Sequence, residues 1–303
     1  MSTPRRHHFV PAFYLQQWAG PTGDVIEHSV KHINLVSKPI GPASTGFEFD
    51  LYAFDALPPE TRQHLEQRFF NYVDGLASSA LGQLLDGRYA TVSDPKIRSA
   101  WSRFVLAMIT RHPDTMAELR NGAERIWREA GQGYLQQDYE KFRRPEDPPT
   151  LEEYHAKADP LIEEKMKLNL LISVFDHAEL GQRVNNMHWA VLDLSKAKHR
   201  LLTSDRPVQY WDLNKPTGVL SIPISPTKMF LAVNDRKILK QVLQRPSNEF
   251  VVGSNKNVVT RARRYVWSHD MSQFSFIKRY ISTALEKLPL FPSMGGENTK
   301  RSL

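Results

Sequence analysis

The sequence predicts an α+β fold, and three patterns carry that prediction. Between about residues 56 and 181, apolar residues recur at three- and four-residue spacing, the mark of amphipathic helices. From about residue 185 onward, short β-branched and aromatic runs alternate with turn residues and read as strands. The two kinds of segment are largely separate along the chain and do not alternate. A helical N-terminal layer is therefore expected, followed by a mostly antiparallel sheet with basic closing helices. A chain of 303 residues can bury one large core or two modest ones. Residues 5–268 are expected to form a single domain, with the helical part over about 56–181, the sheet-containing part over about 185–268, and 269–303 as a C-terminal extension.

The elements follow in order. Residues 25–28 and 47–52 read as extended segments in a Pro- and Gly-rich start. A long helix opens at Pro58-Pro59, carries the stripe Leu65, Phe69, Val73, Leu76, Ala80 and Leu84, and stops at Gly87. A second opens at Ser93-Asp94-Pro95, an acidic N-cap with proline in the first helical position, and carries Ile97, Trp101, Phe104, Val105 and Met108. Pro113 lacks an N–H and disfavours helix just before it, which places Arg111 at a helix end or kink. A third helix is expected over 116–130. Residues 131–149 read as a charged, Pro-rich loop. Thr150-Leu151-Glu152-Glu153 is a capping box for a further helix, broken at Asp159-Pro160 and resuming to Gly181. Residues 188–194, 200–203 and 208–211 read as strands of one sheet, joined by 219–224 and 229–233. Helices return over 236–244 and 248–268, and no internal repeat is visible.

Composition limits the chemistry. With no Cys, disulfides, thiolate nucleophiles and thiolate zinc sites are excluded, so any metal would be held by His, Asp, Glu, Asn or backbone oxygen. No apolar run approaches the roughly 20 residues of a membrane span. The start, Met1-Ser2-Thr3-Pro4-Arg5-Arg6, leads into histidines and not into an apolar signal region, so a cytoplasmic protein with no membrane partner is expected. From Arg183 onward there are 20 Lys and Arg against 8 Asp and Glu, a balance of +12; residues before it carry −5 of the net +7. That asymmetry points to a polyanionic partner such as nucleic acid, although a solvated basic surface has the same composition.

Two segments concentrate reactive side chains beside rigid turns: His7-His8-Phe9-Val10-Pro11-Ala12-Phe13-Tyr14-Leu15, and Leu202-Thr203-Ser204-Asp205-Arg206-Pro207-Val208. On these residues the chain resembles a bacterial domain-of-unknown-function family, number 4238. Its members begin His-His-aromatic-Val/Ile-Pro-x-aromatic-x-Leu and carry a later Ser-Asp-x-Pro. Arg111-His112-Pro113, Ile222-Pro223-Ile224-Ser225-Pro226 and the segment 257–267 extend the likeness. This chain departs from the pattern at Arg206, where Asn is common, and at His112, where a small residue is common. The resemblance implies candidate positions and no reaction.

Each constellation has a functional and a structural reading. Consecutive histidines in extended chain face opposite ways, so His7 and His8 would not both ligate one ion; His8, held by Val10-Pro11, is the candidate general acid/base or metal ligand. A His that hydrogen-bonds the backbone is the plainer reading. Ser204 and Asp205 at a strand end, beside Arg206, suit a metal or phosphate site, yet Ser and Asp in turns commonly bond their own backbone. Glu66 and Asp74 lie on one side of the first helix, and Arg111 is positioned to pair with either or to bind phosphate. Phe13, Tyr14 and Trp18 read as core. Lys256, Arg261, Arg263 and Arg264 flank Val258, Val259, Ala262 and Val266, an amphipathic basic helix able to track a phosphate backbone.

No Walker A, dinucleotide-binding, His-Glu-x-x-His or Gly-x-Ser-x-Gly motif is present. Asp205 with Asp212 and Lys215 misses restriction-nuclease spacing by one residue, and His177, Asn186 and His188 miss His-Asn-His spacing. Three function classes stay open. The first is a metal-dependent, nuclease-like hydrolase of nucleic acid or another phosphate ester. In it His7, His8, Ser204 and Asp205 form the catalytic group, His8 and Asp205 meet at a divalent metal, and Arg111, Arg206, Lys256, Arg261 and Arg264 hold phosphate. The second is a non-catalytic nucleic-acid-binding module, and the third a small-molecule or nucleotide enzyme.

Overall fold

Short extended pieces cut by Pro and Gly fold as ribbons, and the start of the chain does so. The structure, a computed structural model, describes residues 5–87 and 94–281. β1 (Arg6–His8) leads through Val10-Pro11 into a single helical turn, α1 (Ala12–Leu15), and a 3-10 turn ending at Trp18. β2 (Val25–Lys31) and β3 (Asn34–Ile40) form a hairpin, and β4 (Phe47–Phe49) returns to pair antiparallel with β1. The return depends on Gly46. Its φ is +66°, its carbonyl accepts the N–H groups of Phe9 and Val10 at 2.8 and 3.0 Å, and a Cβ there would lie 3.0 Å from the Val10 carbonyl oxygen.

The stripe expected to make one long helix is divided. α2 (Pro59–Arg62) ends where Gln63 leaves helical geometry, a π-helical turn spans Leu65–Phe70, and α3 (Asn71–Leu85) follows. Leu65, Glu66 and Phe70 are buried on this wider turn. α4 (Pro95–Thr110) begins as its sequence predicts: Asp94 accepts from the Lys96 N–H at 2.8 Å, a cap worth about 1 kcal/mol. Ser93 of that start signal lies outside the described residues. Pro113 ends α4 at Arg111 and opens α5 (Pro113–Gln132), with His112 as its N-cap.

The stretch expected to be a loop contains α6 (Tyr134–Phe142), anchored where the Tyr139 hydroxyl donates to the Pro148 carbonyl at 2.7 Å. α7 (Leu151–Ala158) uses the predicted Thr150 cap, and α8 (Ile162–Phe175) resumes after Asp159-Pro160. A further break at Asp176-His177 then opens α9 (Ala178–Asn186).

Beyond Asn186 come β5 (His188–Asp193), β6 (Thr203–Ser204), β7 (Gln209–Trp211), β8 (Val219–Ser225), β9 (Lys228–Val233), α10 (Arg236–Leu243), α11 (Ser247–Arg261), β10 (Val266–Ser268) and α12 (Phe274–Tyr280). The protein is α+β, and its sheets are antiparallel. Two expectations are corrected here. The strands do not form one sheet: β5-β9-β8-β7 is one, while β6 joins β3-β2-β10 in another. The segment 248–268 is not one helix, because the chain leaves α11 at Ala262 and returns as β10. Arg263 and Arg264 therefore sit in a turn.

The main core joins Tyr14 and Trp18 to Leu81 of α3, Trp101 and Phe104 of α4, Ile222 and Phe230 of β8 and β9, and Trp267 of β10. Each such side chain contributes about 1.5–3 kcal/mol by leaving water. The N-terminal aromatics Tyr14 and Trp18 are thus core, as their spacing suggested.

Candidate functional site

The two segments singled out in the sequence come together, joined by core contacts. The buried Tyr14 hydroxyl donates to the Pro223 carbonyl of β8 at 2.7 Å and accepts from the Thr203 hydroxyl of β6, also at 2.7 Å. Trp18 Nε1 donates to the Leu201 carbonyl at 2.9 Å. One short N-terminal turn so fastens both sheets. The Phe9 ring meets the His112 ring edge-on at 5.5 Å, and His112 Nε2 lies 3.4 Å from Asp205 Oδ2.

Asp205 is fully buried at the end of β6. Its carboxylate accepts backbone N–H groups from three successive residues: Arg263 at 2.9 Å, Arg264 at 2.5 Å and Tyr265 at 3.1 Å. Burial opposes its ionisation, but the His112 contact, with the Arg263 and Arg264 amides, outweighs burial and holds the carboxyl below its ordinary value. His112 Nδ1 accepts from the Asp114 N–H, so the ring proton sits on Nε2 and faces Asp205. His8, expected beside Asp205, instead bonds the Ala43 carbonyl at 3.3 Å through Nε2, and burial lowers its pKa. His7 Nδ1 accepts the Tyr52 N–H at 3.0 Å, and its ring stacks on Tyr52. Ser204 Oγ accepts the Arg206 N–H at 3.2 Å, the local turn bond that such a serine makes.

A second group of charges lies in the helical layer. Arg111 is wholly buried, grips Asp74 through both terminal nitrogens at 2.8–3.2 Å, and packs over the rings of Phe70 and Phe104. Burial lifts the Asp74 pKa to about 6 against the pull of Arg111, which leaves it ionised at neutral pH. Burial lifts Glu66, on the π-helical turn, to about 7; Arg111 opposes that rise and Asp74 adds to it. Arg111 therefore has its ion pair within the core, with Asp74.

Of the remaining predicted cations, Lys256 is exposed and the arginines are half-buried. Arg206 reaches Thr115 Oγ1 at 3.4 Å, and burial together with nearby Arg263 and Arg261 lowers its pKa. Arg261 lies over the Tyr210 ring, and its pKa is lowered by burial against the favourable pull of Tyr210. Lys256 lies over the Tyr280 ring, and Arg264 pairs with Glu48 and with Asp114. Among the described residues, Arg206, Arg261 and Arg263 form no ion pair with an acid. Arg263 also lines a cleft of about 340 Å³ between the β2–β3 ribbon and the turn after α11, together with Lys31, Lys38, Ser29 and Tyr265.

Among the described residues, no group of three or more His, Asp or Glu is placed to hold a metal ion, and His8 and Asp205 each have other partners. No described helix is long and apolar enough to cross a membrane. Two residues gain importance that the sequence did not give them. The His112–Asp205 contact spans 93 positions and carries no spacing signal. Lys31 belongs to a ribbon more than 230 positions before Arg263, so only folding shows that they share a cleft. Residues 6–272, nearly the whole chain, match a family model described as Protein of unknown function (DUF4238). No curated protein and no solved structure matches the chain.

Proposed function

Because this chain belongs to the DUF4238 family, whose description names no reaction, we propose a function from its charges: it binds nucleic acid through the phosphate backbone, using the basic part that follows β5. One observation carries this reading. Arg206, Arg261 and Arg263 are half-buried, burial and the charges of Arg263 and Arg261 lower the Arg206 pKa against the pull of Asp205 and Asp114, and none of the three forms an ion pair with an acid among the described residues. A guanidinium stays charged in any protein environment, so burying several together is unfavourable unless an anion approaches them. Phosphate is the anion whose geometry the guanidinium fork fits.

Binding is better supported than hydrolysis. A hydrolase would need an acid–base pair within reach of those cations. The acids nearest to them are Asp205, whose oxygens are taken by three backbone donors, and Asp114, which is shared with Arg264. The proposed activity is therefore non-catalytic.

Titration of the purified protein with labelled oligonucleotides at several salt concentrations tests this. The logarithm of the binding constant is expected to fall linearly with the logarithm of salt, by about 0.7–0.9 per phosphate contacted. Arg206→Ala and Arg261→Ala are each expected to flatten that slope by about one contact. Binding that is absent, or indifferent to salt, overturns the proposal.

A further inference from the structure

We propose that the cleft between the β2–β3 ribbon and the turn after α11 is the seat of a single strand of nucleic acid, with Arg263 and Lys31 on its phosphate and Tyr265 against its base. This rests on the nucleic-acid-binding reading above and names the form of ligand and its place. The cleft, at about 340 Å³, falls within the size of small-ligand sites.

The charges around it sort into committed and uncommitted. Glu27 faces the cleft but is occupied by Lys38 at 3.2 Å and by the Thr45 hydroxyl. Arg264 is held by Glu48 and Asp114. Lys31 and Arg263 make no ion pair among the described residues, and both line the cleft, so its uncompensated charge is two positive. That is suited to one phosphate group. The Arg263 backbone is anchored because its N–H is bound to Asp205, and among the described residues its Nε is buried without a hydrogen-bond partner, a donor that a phosphate oxygen would satisfy.

Tyr265 decides between strand and duplex. It lines the same cleft, half-buried and backed by the Trp267 ring at 5.5 Å. An aromatic ring beside a phosphate-binding pair takes an unpaired base, whose face a duplex keeps stacked. Ser29, also in the cleft, adds a hydroxyl able to donate to a phosphate oxygen.

The test is fluorescence anisotropy with a labelled oligothymidylate, its duplex with oligoadenylate, and unlabelled thymidine monophosphate as competitor. Arg263→Ala and Lys31→Ala are each expected to weaken single-strand binding on the order of tenfold and to flatten the salt slope by about 0.7. Tyr265→Leu is expected to weaken it at least about fivefold with the slope unchanged. Lys157→Ala, an equal charge change at an exposed position of α7 before β5, serves as control and is expected to bind as the unaltered protein does. Arg263→Ala keeps the backbone N–H that Asp205 holds, so its melting temperature is expected to stay put, and Arg263→Lys should recover most of the binding. Neither result would follow from simple misfolding. If the unaltered protein binds with a salt slope while all three cleft variants bind equally well, the cleft is refuted and the wider reading survives. If the unaltered protein binds no nucleic acid, the wider reading falls and takes the cleft with it. Duplex bound as tightly as single strand, or displacement by the mononucleotide at equal affinity, overturns the strand as occupant.

Discussion

Replacing Asp205 by Asn keeps the side chain's shape and removes its charge, and the cost can be worked from its contacts. Oδ2 serves Arg264 at 2.5 Å, Tyr265 at 3.1 Å and His112 at 3.4 Å, while Oδ1 serves Arg263 at 2.9 Å. The best amide orientation keeps oxygen at the Oδ2 position and turns its NH2 toward the Arg263 N–H. One charge-assisted bond is then lost, about 1.5–3 kcal/mol, and a buried N–H is left unsatisfied, about 1–3 kcal/mol more. The expected loss is about 3–5 kcal/mol. At about 2 °C per kcal/mol for a chain of this size, the melting temperature should fall by about 6–10 °C. Acid adds a second readout. The folded carboxyl titrates below its unfolded value, so its stabilisation is present above the unfolded pKa of about 3.9 and is lost as pH falls through the folded pKa. The unaltered protein should show this acid-side loss and Asp205→Asn should lack it. Calorimetry at pH 7 and denaturant unfolding toward pH 3 provide both readings. A variant that melts within about 1 °C of the unaltered protein would refute the claim that Asp205 joins the structure.

The other expectations come from the helical layer and the N-terminal turn. Glu66 has its pKa raised to about 7, so the folded state holds a proton that the unfolded state releases near pH 4.3. Stability should therefore fall as pH rises from about 4.3 to 7 and then level off, a cost of about 4 kcal/mol. Glu66→Gln should remove that slope, gaining on the unaltered protein by about that amount between pH 4 and pH 8 in urea unfolding; parallel pH profiles would count against it. Gly46→Ala forces a side chain into φ +66° and against the Val10 carbonyl oxygen, so a loss of about 1–3 kcal/mol is expected with oligonucleotide binding by the folded protein unchanged. A loss of binding at unchanged stability would contradict that assignment.

Signals that act within one turn of chain were legible. Asp94-Pro95 starts a helix, Thr150 caps another, and Arg111 ends α4 because Pro113 lies two residues on. Each is settled by bonds or clashes among near neighbours. What depends on distant partners was not legible. The π-helical turn at Glu66 exists to bury a face against α8 and α4, and no local residue marks it. β6 is two residues long and pairs with β10 more than sixty positions away, so its sheet could not be read from its own composition. The site divides in the same way. That the His-His segment and the Ser-Asp turn belong together was readable as a concentration of unusual residues, but which atoms meet was not: Asp205 found His112 and three amides in place of His8.

That exchange of partners bears on function. A buried carboxylate among arginines can be satisfied by their side chains or by their amides, and Asp205 takes the amides of Arg263 and Arg264. The choice turns the chain out of α11 and leaves the two guanidiniums to other work. Arg264 reaches across to Glu48 and Asp114, tying α5 to the first ribbon, and Arg263 enters the cleft without an acid of its own. On the binding proposal, the acid that resembles a catalytic group in the sequence acts by holding the turn that carries Arg263. Arg263→Ala should then lose binding and keep its melting temperature, whereas Asp205→Asn should lose both together, since the turn that presents Arg263 loosens with the fold. Full oligonucleotide affinity in a destabilised Asp205→Asn protein, measured well below its melting temperature, would separate the joint from the cleft and show that Arg263 is positioned by its other neighbours.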